Sequence, residues 1–161
     1  MDIRADIDLL ILEGAKSRCK LIDYCVENMS LINQLNEHDF KYVLIALANA
    51  YEGKYMFDKA IETYILLLSK YPKSSSSKVK ISRIMVKQND IDGAISYLEA
   101  AYEEIKNNPY YYEDLITNTI KLDPSYLSDL RCFPIYIAEL KEKKLADISI
   151  NLEEENQSSY S

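Results

Sequence analysis

From Phe40 onward, apolar and polar positions recur at helical intervals. "FKYVLIALANAYEG" predicts a helix, "KYMFD" a tight turn, and "KAIETYILLLSKY" a second helix closed by Pro72, since proline cannot supply the next amide. "SSSS" at 74–77 then links to a third helix and offers hydroxyl oxygens to its first free amides. "KVKISRIMVKQ", a turn at "NDIDG" and "AISYLEAAYEEIKNN" follow, so the pattern predicts two helical hairpins in succession. Upstream, Ile7, Leu10 and Ile11, then Cys19, Ile22, Val26, Met29 and Ile32, predict helices over about 4–13 and 16–34, parted by "GAKS" at Gly14. "NEHD" at 36–39 reads as a linker and helix start.

A shift of 34 residues lays the first hairpin on the second: Leu47 falls on Ile81, Ala48 on Ser82, Phe57 on Ile91, Asp58 on Asp92, Ala60 on Ala94, Ile61 on Ile95 and Tyr64 on Leu98. Small residues meet small and bulky meet bulky, which is the mark of a structural repeat. Ala60 and Ala94 are the predicted close crossings of each hairpin, with Tyr51, Phe57 and Tyr64 filling the space beside them.

"LANAYEGKYMFDKAIETYILLLSKYP" resembles a unit of the tetratricopeptide repeat (TPR) family, in its Leu–small–x–x–Tyr run, turn aromatic, Ala opening the second helix, aromatic four residues later and closing Pro. The sequence departs from that pattern at Tyr55, where the family has a turn Gly, and at Met85 and Lys106, where it has Tyr and Pro. A third copy begins at Pro109 with "PYYYEDLITNTIKL", but Ser128 and Cys132 fall where Ala and a bulky residue belong. "KLDPSYLSDLRCFPIYIAELKEKK" is instead similar to segments that close TPR arrays. The resemblance implies an all-α fold, a right-handed superhelix of antiparallel hairpins (a TPR-like α-solenoid) with about seven helices. The expected organisation is a single domain over 1–150, with N-terminal helices (1–37), repeat 1 (38–73), repeat 2 (74–108) and a partial repeat with end cap (109–145), followed by a flexible acidic tail (151–161).

Such solenoids bind through a concave groove lined mainly by the first helix of each hairpin. Charge singles out one part of that surface. The net charge is −7, yet residues 63–89 carry six Lys or Arg and no Asp or Glu, while 1–62 sum to −4 and 90–161 to −9. Within the band Lys80, Arg83 and Lys87 recur at i, i+3 and i+7 and so form one stripe. With Asn49 of the preceding repeat, and Tyr110 from "YYY" as a broad contact surface, the stripe is the candidate partner-binding set for an acidic segment or a chain-terminal carboxylate. The carboxylate clamp of some TPR proteins is matched at Asn49, but Ile45, Glu113 and Asp114 replace its basic residues. A solvated helix face is the competing reading of the same lysines.

The acidic balance argues against nucleic acid or an anionic membrane as partner. His38 is the sole histidine, and no nucleotide, zinc or calcium motif occurs, so neither an enzyme nor a cofactor or metal site is expected. Cys19, Cys25 and Cys132 lack CxxC spacing and suit buried free thiols. "MDIRADIDLLILEG" lacks a basic start and a long apolar run, which predicts a soluble, cytoplasmic chain. The function expected is a non-catalytic protein–protein interaction module. An immunity protein or antitoxin masking a basic toxin, a small acidic chaperone for a secreted protein, and a scaffold or regulatory subunit are its possible settings. Apolar surface left open on the first or last helix would favour an oligomeric building block.

Overall fold

The computed structural model describes residues 1–72, 74–107 and 124–158. Among these residues every regular element is helical and none is a strand. The helices are α1 (Ile3–Leu12), α2 (Arg18–Glu27), α3 (Met29–Ile32), α4 (Glu37–Gly53), α5 (Phe57–Lys70), α6 (Ser75–Lys87), α7 (Ile91–Lys106) and α8 (Pro124–Ser158), with a 3₁₀ turn at Gly14–Ser17. The chain divides into two compact units, Met1–Ser77 and Lys78–Ser161, the boundary falling inside α6. The expected third copy from Pro109, with Tyr110, Glu113 and Asp114, lies outside the described residues.

In the first unit α4 begins where "NEHD" suggests: the Asn36 side chain accepts from the Asp39 amide at 2.9 Å and satisfies one of the free donors of the first turn. Phe40, Val43, Leu44, Leu47, Ala48 and Tyr51 are buried along it. Ala46 and Ala50 are buried too, because α5 packs on one side of α4 and α1 and α2 on others. Helix α1 runs parallel to α4. The Arg4 guanidinium pairs with Asp39 at 2.9 Å and lies 3.4 Å from the centre of the Tyr42 ring, whose hydroxyl donates to Asp8 at 2.5 Å. The Arg18 guanidinium of α2 lies over Gly53 and donates to its carbonyl at 3.4 Å.

The predicted helix over 16–34 is instead a 3₁₀ turn, α2 and α3, broken at Asn28. Its buried apolar residues are Leu21, Cys25 and Ile32, while Cys19 and Val26 are exposed. The buried face is the one that packs on α1 and α4, so tertiary contact selects it over the period of 16–34 taken alone.

The two interhelix turns are built alike. After α4 the Met56 amide donates to the Tyr51 carbonyl and that of Tyr55 to Glu52, both at 2.9 Å; after α6 the Asp90 amide donates to Met85 and that of Asn89 to Val86, again at 2.9 Å. Each pair is a Schellman closure around a left-handed residue, Tyr55 with φ 58° and Asn89 with φ 62°. Corresponding atoms are 34 residues apart throughout. Burial follows the same offset: Leu47 and Ile81, Ala48 and Ser82, Ala60 and Ala94, Tyr64 and Leu98 are all buried.

The second unit holds a core of Val79 from α6, Ile91, Ala94, Ile95, Leu98 and Ala101 from α7, and Phe133, Ile137 and Leu140 from α8, with Met85, Val86, Tyr102 and Tyr136 against it. Tyr102 stacks on Phe133 with ring centres 6.2 Å apart. Where the charge pattern predicts a tail from 151, α8 continues to Ser158. No Gly or Pro follows Pro134, and nothing in the local sequence stops the helix.

Candidate binding face

Six cations make up the basic band, and the structure divides them. The Lys70 ammonium donates to the Asn33 carbonyl at 2.7 Å and sits 4.3 Å from the centre of the Phe40 ring. Lys78 is 6% exposed and pairs with Glu104 at 3.3 Å. Lys73 lies outside the described residues. Lys80, Arg83 and Lys87 share α6, with Arg83 and Lys87 exposed and Lys80 half-buried. Ile81 and Ile84 are buried on the packed side, where Ser82 donates to the Val79 carbonyl at 2.7 Å. Arg83 is not a bare charge: its guanidinium lies 5.7 Å from the centre of the Tyr136 ring of α8, within range of a cation–π attraction.

Asn49 belongs to the first unit and the stripe to the second. Between Phe40 and Gly53, all described, Asn49 is the one exposed residue. Its amide oxygen receives the hydroxyl of the buried Tyr64 at 3.4 Å. Arg83 stands 34 residues after Asn49. The first helix of each hairpin thus opens the same repeat position to solvent, once with a neutral amide and once with a cation. Tyr110 lies outside the described residues.

Sequence reasoning passed over Lys78 and Glu104. The signal was present in the period, since Lys78 falls on Leu44, a core position. A lysine at such a place is buried with its stem among apolar groups and its charge led to a partner.

A further concavity of about 510 Å³ lies between α7 and α8, lined by Glu99, Tyr102, Glu103, Ile137 and Lys141 among others. Lys141 and Glu99 pair across it at 2.6 Å. Among the described residues no three His, Cys, Asp or Glu side chains gather as metal ligands would, and no helix is long and apolar enough to cross a membrane. Of the thiols, Cys25 is buried and its pKa is pushed up to about 12 by loss of solvation. It is therefore protonated and inert near neutral pH. Compared with family models, curated proteins and solved structures, the chain finds no match.

Proposed function

We propose that this chain is a non-catalytic interaction module of TPR-like hairpins that receives an acidic segment of a protein partner on the basic face of α6. The observation that carries this reading is the 34-residue recurrence, which governs the apolar pattern, the burial and the hydrogen bonds of both interhelix turns alike. Repeats that are built alike, while the residues they open to solvent differ, are how such arrays acquire partner specificity. Arg83 and Lys87 supply exposed cations at that open face, and Arg83 is held in place by Tyr136. Neutralisation of a toxin, escort of a secreted protein and a scaffold or regulatory role are the settings of the reading, and they differ in the identity of the partner.

The test is affinity capture from the native cell with the full chain, followed by titration of the recovered partner. Replacing Lys80, Arg83 and Lys87 together by Glu should abolish capture without loss of helicity. Because Arg83 also packs on Tyr136, the pair Lys80→Glu/Lys87→Glu is the cleaner variant, and capture unchanged by it removes the basic face from the reading. A second reading, an oligomeric building block, is favoured by apolar side chains open to solvent on the first and last helices, among them Leu9 and Leu12 on α1 and Leu145 and Leu152 on α8.

A further inference from the structure

Among the described residues, the C-terminal half of α8 meets no apolar partner. Phe133, Ile137 and Leu140 join the core with α7, but from Lys141 to Ser158 every residue except the half-buried Lys144 is exposed. A helical stretch of this length is marginal in water unless an apolar face is covered. It has such a face. Leu145, Ile148 and Leu152 are 65%, 44% and 55% exposed, and their spacing of three and four residues is that of a coiled-coil seam.

The seam has a charge at each end. Lys141 lies four residues before Leu145, and Glu155 three after Leu152, so that the stripe reads cation, apolar, apolar, apolar, anion along one side of the helix. A parallel copy would set lysine on lysine and glutamate on glutamate. An antiparallel copy, turned about a two-fold axis near Ile148, sets Lys141 of each chain towards Glu155 of the other and packs the three apolar side chains together. The stripe is self-complementary in that orientation alone, and a self-complementary patch on a two-fold axis is the commonest route to a homodimer. Lys141 is engaged with Glu99 of its own chain at 2.6 Å, but both side chains are about half exposed (55% and 48%). Exchanging such a pair for another costs little.

We infer that α8 is a dimerisation helix and that two copies of this chain associate through antiparallel pairing of residues 141–158. The inference does not involve the basic face of α6, and either can fail without the other.

Sedimentation equilibrium of the full chain from micromolar to millimolar concentration tests it. A reversible monomer–dimer equilibrium is expected, with Ile148→Asp monomeric throughout and its circular dichroism otherwise that of a folded helical protein. Lys141→Glu alone and Glu155→Lys alone should each weaken the dimer about tenfold, two ion pairs being lost and replaced by like charges. The two changes in one chain should restore it. A wild-type chain that is monomeric over the whole range overturns the inference, and so does a dimer that survives Ile148→Asp. Single charge reversals without effect, or a double variant no better than either single one, overturn the antiparallel pairing.

Discussion

The two hairpins share a backbone and differ in what the side chains contribute to it. In the second turn the left-handed residue is Asn89, which tolerates that conformation, and the next residue, Asp90, accepts from the Gly93 amide at 2.9 Å to cap α7. In the first turn the same places hold Tyr55, 82% exposed, and Met56, which provides no side-chain cap. Position 44 is a buried Leu and its counterpart 78 a buried Lys; position 70 is Lys and its counterpart 104 is Glu. The second hairpin is well specified locally and carries a polar group in its core. The first is poorly specified locally but has an apolar core backed by α1 and α2. One backbone therefore arises from two balances of local preference and tertiary packing.

Exchanging residues between the hairpins tests this, and the core position should respond most. Leu44→Lys places a charge where the counterpart of Glu104 is Lys70, and an unpaired buried charge costs roughly 3–5 kcal/mol, enough to unfold much of the population in a urea titration. The reverse exchange, Lys78→Leu, should leave the midpoint unchanged or raise it, because Glu104 is 65% exposed and keeps its hydration. A midpoint lowered by Lys78→Leu would show that the ion pair holds the second hairpin together.

Next come the crossings. Ala60→Leu and Ala94→Leu should each cost about 1–3 kcal/mol by overpacking, since both alanines are fully buried. A variant that melts as the wild type does would mean that its helices do not cross closely there.

The turns should respond less. Tyr55→Asn relieves a left-handed non-glycine residue and should stabilise by about 1 kcal/mol, and Asn89→Tyr should destabilise by a similar amount. Opposite shifts in Tm, read by circular dichroism, are the expected result. Smaller again is the cap, where Asp90→Ala should cost about 1 kcal/mol or less and Met56→Asp should recover part of that in the first hairpin.

The thiols carry the least energy but give a local readout. Cys19 should react with a thiol reagent at neutral pH, whereas Cys25 should stay protected until the first unit opens. The native state holds the Cys25 proton up to about 12, above the ordinary thiol value of 9.0. Between those values the unfolded chain binds fewer protons than the native one, so the contribution of this thiol to stability is intact below pH 9 and is lost as pH rises towards 12. Labelling of Cys25 at neutral pH as fast as Cys19 would contradict its burial.

The repeating hairpin was legible in the linear chain because it is a local object: helical period, small residues at the crossings and a Pro after α5 act over a few turns of backbone. The same register also marks Asn49 and Arg83 as one repeat position. What lay beyond reach involved partners distant in sequence. Contact with α1 and α4 decided that α2 buries Leu21 and Cys25 rather than Cys19 and Val26. The basic band looked uniform until Lys70 turned to Asn33 and Phe40, and Lys78 to Glu104.

By itself the sequence determined that helices form, where the hairpins turn and which side of each hairpin helix is apolar, since backbone preference and side-chain period are set by near neighbours. Only the tertiary structure decided which cations stay in solvent, that Arg83 lies against Tyr136, and that α8 runs on to Ser158 with Leu145, Ile148 and Leu152 uncovered. A charge or an apolar stripe has no assigned role until the chain has placed, or failed to place, something opposite it.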